Sequence, residues 1–254
     1  MIAAAGLLVG VFAGGPAGGA TVEVRCELVA NGPVIGVRFI VPRGKHVYWT
    51  NPGDAGLPTS VEFRLPEGFR AGPLRWAVPE KFVQPGDVTG FGYRRELLVW
   101  TRIVGPEGGP PAGSKVRASV SWLECDDREC VSGRAELEAA WPLNQMPDAF
   151  DRWASRMPEA GGGAKPAGAP GRWEISIPWT DRSGGVRWVA ACDPRAVVTD
   201  VVVRAGDPVR IGCTIAPAPG SRLPAGGVEV VVGYKPFWRE MKGIAVEIPA
   251  GDIR

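Results

Sequence analysis

Apolar and polar residues alternate with a period of two in several short stretches of the chain. Val61-Glu62-Phe63-Arg64-Leu65 is one, Val116-Arg117-Ala118-Ser119-Val120-Ser121-Trp122 a second, and Ala135-Glu136-Leu137-Glu138-Ala139 a third. Successive side chains of a strand point to opposite faces, so this pattern predicts half-buried strands. Apolar runs from Val34 to Val41 and from Leu97 to Val104 predict two more. Between them lie the turn signals Pro42-Arg43-Gly44, Asn51-Pro52-Gly53, Pro66-Glu67-Gly68 and Pro85-Gly86-Asp87. Short strands at this spacing predict a β-sandwich over residues 21–142.

The next segment, 143–170, reads as a short helix and a flexible linker. Phe150, Trp153 and Met157 recur at steps of three and four, which predicts a brief helix within PDAFDRWASRMP. AGGGAKPAGAP, residues 160–170, has nothing to bury and reads as the linker or a surface loop. Alternation returns at Trp173-Glu174-Ile175-Ser176-Ile177, and apolar runs follow at 186–191, 197–203, 209–215 and 228–232. They predict a second, smaller β-rich domain over 171–254, so the fold class expected is all-β.

Composition agrees. The chain of 254 residues holds 36 glycines and 25 prolines, which favours many turns over long helices. A net charge of +2, from 29 basic and 27 acidic residues, gives no electrostatic ground for a nucleic-acid partner. Residues 1–20, MIAAAGLLVGVFAGGPAGGA, form an apolar run followed by small residues, as in a secretory signal peptide, although no Lys or Arg precedes Arg25. The run is shorter and richer in glycine than a membrane span of about 20 apolar residues. Export to an oxidising compartment is the expectation.

Most chemistry finds no support. His46 is the only histidine, and no G-x-S-x-G elbow provides a hydrolytic nucleophile. No pair of carboxylates is singled out by spacing. Cysteine and histidine spacing makes no zinc site, and neither a dinucleotide nor a P-loop glycine motif occurs, so no metal or cofactor is expected. The stretch HVYWTNPGDAGLPT mixes aromatics with loop residues, and either core packing or a recognition surface would explain it.

Five cysteines remain. Cys125 and Cys130 are separated by DDRE, and the flanking Trp122 and Val131 place them at the ends of two adjoining strands with an acidic turn between. They are the candidate site. A reducible pair and a structural staple both fit, and closing so small a loop stabilises by only about 2 kcal/mol. Asp126, Asp127 and Glu129 disfavour a nearby thiolate, and Arg128 only partly offsets them. Cys192 and Cys213 bracket apolar strand candidates and are read as a second disulfide or as two unpaired thiols. Cys26 is left over as a small buried hydrophobe.

Residues 46–82, HVYWTNPGDAGLPTSVEFRLPEGFRAGPLRWAVPEKF, resemble the signature stretch of the N-terminal periplasmic domain of the DsbD/ScsB type of thiol:disulfide interchange protein. FGYRRELLV, residues 91–99, continues the likeness, and WLECDDREC followed by Ser132-Gly133 is similar to that family's WLVC…C-x-PG segment. FDRWASRMP, residues 150–158, is similar to the segment that follows it. The resemblance implies an immunoglobulin-like β-sandwich in the periplasm. It implies that Cys125 and Cys130 take electrons from a membrane-embedded donor protein and pass them to oxidised periplasmic client proteins. Glu124 stands where the family carries Val, and Ser132 where it carries Pro. Related full-length proteins also carry transmembrane helices and a thioredoxin-like domain, and no C-x-x-C occurs here, so the donor is expected to be a separate protein. The alternative is a non-catalytic immunoglobulin-like binding or scaffold module in which the two cysteines are a staple.

Overall fold

A computed structural model describes residues 23–177, 185–234 and 242–249. The apolar leader expected over residues 1–20 lies outside them. The chain opens with β1 (Arg25–Asn31), β2 (Val34–Ile40), β3 (His46–Gly53), β4 (Ser60–Arg64), β5 (Arg70–Ala71) and β6 (Glu80–Gln84). It continues with β7 (Val88–Arg94), β8 (Glu96–Val104), β9 (Lys115–Cys125), β10 (Cys130–Ala140) and β11 (Asn144–Gln145). One sheet has the order β11-β1-β2-β8-β5 and the other β10-β9-β3-β7-β6, with β4 also on β9. The alternation in the sequence shows how they meet. On β9, Val116, Ala118, Val120 and Trp122 are buried, whereas Arg117, Ser119 and Ser121 point away. Val37, Phe39, Leu97 and Val99 of the facing sheet join Ala118, Val120 and Trp122 in one core. Each buried Val, Leu or Phe side chain contributes about 1.5–3 kcal/mol.

The single helix among the described residues, α1 (Pro147–Ala154), is shorter than the expected stretch. Proline suits its first turn because the missing N–H would be unpaired there anyway. Phe150 and Trp153 sink into the first core, and Arg152 donates to Glu96 at 2.8 Å. Met157 lies beyond the helix end.

The supposed linker is a correction. Residues 159–166 form β12 (Glu159–Ala160) and β13 (Gly163–Pro166), which pair with strands of the second half. A segment with no side chains to bury can still lend its backbone N–H and C=O groups to a sheet edge, and the composition argument missed this. The remaining strands are β14 (Arg172–Ile177), β15 (Val186–Ala191), β16 (Ala196–Arg204), β17 (Val209–Pro217), β18 (Val228–Tyr234) and β19 (Lys242–Ile248). Two four-stranded sheets, β12-β19-β18-β15 and β13-β14-β17-β16, enclose Trp173, Ile211, Ile215, Val230 and Val246 as a second core.

The two sandwiches touch through apolar contacts. Trp188 of β15 packs on Phe91 of β7, with ring centroids 5.1 Å apart, and on Trp49 of β3 at 6.4 Å. The Asn51 side-chain amide donates to the Ala191 carbonyl at 2.8 Å. The second half is thus braced against the strands that carry the candidate site.

The disulfide expected as one reading of Cys192 and Cys213 does not form, and both are free thiols, as is Cys26. Cys213 is wholly buried in the second core, whereas Cys192 packs toward the first, so their side chains lie in different layers. Cys192 donates instead to Glu229 at 3.1 Å, and burial pushes its thiol pKa well up. Burial also pushes up Cys26, and it raises Cys213 to about 11. None of the three is a ready nucleophile.

Candidate functional site

β9 and β10 form an antiparallel hairpin in which Cys125 and Cys130 stand directly opposite each other. The turn between them is organised by Asp126. Its carboxylate accepts from the backbone N–H of Arg128 at 2.8 Å and of Glu129 at 3.0 Å, and its own N–H donates to the Glu129 carbonyl at 3.0 Å. Those backbone bonds hold the Asp126 carboxyl below its usual range. The turn brings the two cysteine Cα atoms to 4.1 Å, and a disulfide joins the side chains. The placement expected from the sequence, strand ends flanking an exposed acidic turn, is the one observed.

The two cysteines differ sharply in access. Cys125 is 0% exposed, whereas Cys130 is exposed and lines an open cleft of about 250 Å³. This asymmetry follows from what lies over the sheet. Trp122 and Glu124 face the sandwich interior, so Cys125, the next residue after Glu124, faces outward. It is buried there by a second, smaller layer. His46 and Tyr48 share an outward face of β3, while Val47 and Trp49 enter the core. The Tyr48 hydroxyl lies within donating reach of Cys125 Sγ at 3.6 Å and of Gln84 Oε1 at 3.4 Å, and Gln84 Nε2 donates to the Tyr48 oxygen at 3.2 Å.

Phe82 and Gln84 come from β6, which forms a hairpin with β7 closed by the turn signal Pro85-Gly86-Asp87. The Phe82 ring packs on His46 at 4.3 Å and on Tyr48 at 5.9 Å. Gly90 makes room for it, because a Cβ there would fall 2.3 Å from Phe82 Cε2. Arg94 stands over the same ring at 5.7 Å. Of the aromatic stretch HVYW, then, Val47 and Trp49 serve packing, and His46 and Tyr48 sit beside the disulfide.

Register makes the site a row across four strands. Arg94 on β7 pairs with His46 on β3, His46 with Cys125 on β9, and Cys125 with Cys130 on β10. Directly opposed residues share one face of a sheet, with Cβ atoms about 4.5–5.5 Å apart. His46 is 5% exposed, and its Nε2 has no hydrogen-bond partner among the described residues. Burial, reinforced by the Arg94 charge and opposed by Asp127 and Asp126, lowers its pKa to about 4.

Glu124 is buried and fully partnered. Its carboxylate pairs with the Lys45 ammonium and accepts from the Val24 N–H at 2.9 Å. The hydrogen bond to Glu124 is the main reason the Lys45 pKa is raised. The ion pair ties the start of β3 to the end of β9, one residue before the His46–Cys125 pair. Sequence reasoning singled out both cysteines but gave Tyr48, Phe82, Gln84 and Arg94 no part in the site. The only available signal for Tyr48 was its two-residue spacing from His46. Among the described residues no cluster of three or more metal-ligating side chains occurs, and no helix is long and apolar enough to cross a membrane.

Comparison with known proteins places this geometry. The family model described as thiol:disulfide interchange protein DsbD, N-terminal, matches residues 21–141. The N-terminal periplasmic domain of ScsB from Proteus mirabilis superposes with a TM-score of 0.57 at 13% identity, covering 90% of this chain and 93% of that one. That likeness extends through both sandwiches and supports an immunoglobulin-like all-β fold. The reduced DsbD N-terminal domain of Neisseria meningitidis gives a TM-score of 0.34 at 14% identity, covering 45% of this chain and 82% of that one. No curated protein sequence matches the chain.

Proposed function

We propose that this chain, whose residues 21–141 form a domain of the DsbD N-terminal thiol:disulfide interchange family, exchanges thiols and disulfides with partner proteins through Cys125 and Cys130. The observation that carries the reading is the asymmetry of access: one cysteine is exposed in a cleft, and the other is enclosed beneath Tyr48. A staple needs no such difference. An exchange centre needs one sulfur that a partner thiolate can reach.

In the reducing direction, the thiolate of a partner dithiol attacks Cys130 Sγ. The Cys125–Cys130 bond breaks, its electron pair goes to Cys125 Sγ, and a mixed disulfide joins Cys130 to the partner. The partner's second thiolate then attacks its own sulfur in that bond, releasing Cys130 and leaving the partner oxidised. The reduced domain hands the same two electrons to an oxidised client by the reverse chemistry. Cys130 attacks the client disulfide, and Cys125 resolves the mixed disulfide. Tyr48 is placed to donate a hydrogen bond to Cys125 whenever that sulfur carries charge, and bonds to charged acceptors are the stronger ones.

Phe82, Val83 and Gln84 flank the cleft from one side and the acidic turn from the other. About 250 Å³ is below the range of small-molecule sites, and it suits the side chains of a docking protein. A membrane-embedded dithiol protein as donor, an oxidised client protein as acceptor and a periplasmic location belong to this proposal. The likeness to a periplasmic ScsB domain supports them.

Trapping tests the reading. In reduced Cys125→Ser protein, Cys130 has no resolving partner, so incubation with oxidised glutathione should accumulate a Cys130–glutathione mixed disulfide, located by peptide mapping. Reduced Cys130→Ser protein should react far more slowly, because Cys125 is enclosed. Equal reactivity of the two variants, or none in either, favours the staple of a binding module.

A further inference from the structure

The exchange chemistry leaves a proton without a carrier. Cys130 is exposed and can trade its proton with water, but Cys125 is 0% exposed. Its thiol must nevertheless ionise each time it resolves a mixed disulfide, since only the thiolate attacks. A neutral phenol is no base for a thiol proton, and the Tyr48 oxygen already accepts from Gln84 Nε2. An imidazole shares the sheet face of that sulfur. His46 is the cross-strand partner of Cys125 on the same sheet face, it lines the same cleft as Cys130, and its buried Nε2 is unpaired. A buried polar nitrogen with no partner is an unfavourable arrangement, which invites a functional explanation.

We propose that His46 is the proton acceptor for Cys125 in the resolving step, and the donor in its reverse. The inference rests on the exchange reading above. In the forward step the Cys125 S–H proton passes to His46 Nε2. The thiolate attacks Cys130 Sγ in the mixed disulfide, the Cys125–Cys130 bond forms, and the Cys130–client bond breaks. The client sulfur leaves with the electron pair and is protonated by the imidazolium or by water. In sum the domain loses two electrons and two protons, and the client disulfide gains both.

The surroundings tie this role to docking. With Phe82 seated on the ring, His46 is a weak base, held neutral by burial and by Arg94. Arg128 at the cleft wall adds positive charge, while Asp126, Asp127 and Glu129 provide carboxylates that favour an imidazolium. Displacing Phe82 removes the desolvation and leaves the acidic turn in place. His46 then returns toward an ordinary imidazole, whose basicity suits proton transfer near neutral pH. A partner that lifts the β6–β7 tip to reach Cys130 therefore also activates the base.

The test is single-turnover oxidation of the reduced protein by oxidised glutathione between pH 5 and 8. Acid quenching and mass spectrometry separate formation of the Cys130–glutathione adduct from its resolution. His46→Gln should form the adduct at the wild-type rate but resolve it on the order of tenfold more slowly or worse, with a steeper rise of the resolution rate with pH, because the Cys125 thiol must then lose its proton to solvent. His46→Asn, with circular dichroism to confirm folding, guards against one variant that misfolds. If both folded variants resolve the adduct at the wild-type rate across the range, or if adduct formation slows as much as resolution, the assignment is wrong. Absence of any adduct in the wild-type protein overturns this inference together with the exchange reading, whereas an adduct whose resolution ignores His46 overturns this inference alone.

Discussion

Tyr48 sets its hydroxyl 3.6 Å from the sulfur of Cys125, a residue with no exposed surface. The oxidised sulfur is a weak acceptor, but the same contact becomes a charge-assisted hydrogen bond when Cys125 leaves as a thiolate. Such bonds are worth about 1.5–3 kcal/mol. Tyr48→Phe keeps the ring and removes the donor. It should slow reduction of the disulfide by dithiothreitol roughly tenfold, by the conversion of about 1.4 kcal/mol per decade. The thermal midpoint of the oxidised protein should move little. Stopped-flow tryptophan fluorescence gives the rate. An unchanged rate would show that the contact has no part in exchange.

Gly90 and Phe82 make a second prediction. A methyl group at residue 90 would meet the Phe82 ring at 2.3 Å, and that ring is the movable end of a side chain on a hairpin edge. Gly90→Ala should therefore displace the ring rather than unfold the sandwich. Reduction by dithiothreitol should become several-fold faster, and Phe82→Ala should match it. If both variants react no faster than wild type, Phe82 does not control access.

Burial of His46 gives the oxidised protein a defined pH dependence. Its folded pKa, about 4, lies below the ordinary value of 6.5, so the folded state prefers the neutral ring. The sign follows: this contribution is fully present above pH 6.5 and is lost as pH falls toward 4, where it amounts to about 3 kcal/mol. Other groups titrate in the same range, so the readout is a difference. The stability gap between wild type and His46→Gln, from urea denaturation, should shift by that amount in favour of the variant between pH 7 and pH 4. A constant gap would contradict the burial account.

Why the cysteines were legible in the sequence and their surroundings were not has a physical reason. β4, β9 and β10 have one face on the core and one in solvent, so their alternation is visible. β3 is buried on both faces at His46, Val47, Tyr48 and Trp49, the inner face by the sandwich and the outer by Phe82, so its pattern reads as an unbroken aromatic run. The β6–β7 hairpin hides for another reason: Gly90 and Gly92 interrupt the outer face of β7, and Phe82 of β6 fills the gap over Gly90. The His46–Cys125 pairing depends on register between strands 79 residues apart in sequence, which no local pattern encodes. The edge strands at 159–166 were invisible because they offer backbone alone.

The Lys45–Glu124 pair yields a stability prediction. Lys45→Met leaves the buried Glu124 carboxylate with only the Val24 N–H, and stranding one partner of a buried pair costs about 3–5 kcal/mol. The double variant Lys45→Met, Glu124→Val restores the family's apolar residue before the first cysteine. It should recover most of that loss in urea denaturation. A double variant as unstable as the single would mean that the pair is not an isolated charge balance.

The central claim, that Cys125 and Cys130 are a redox centre, is tested most directly by titrating the folded protein against defined ratios of reduced to oxidised dithiothreitol or glutathione, with thiol alkylation and mass spectrometry as the readout. The account predicts a reversible two-electron transition confined to Cys125 and Cys130 and abolished by Cys125→Ser, while Cys26, Cys192 and Cys213 remain thiols throughout. A disulfide that is reduced only after the protein unfolds, or a pair that stays reduced in every buffer, would contradict it.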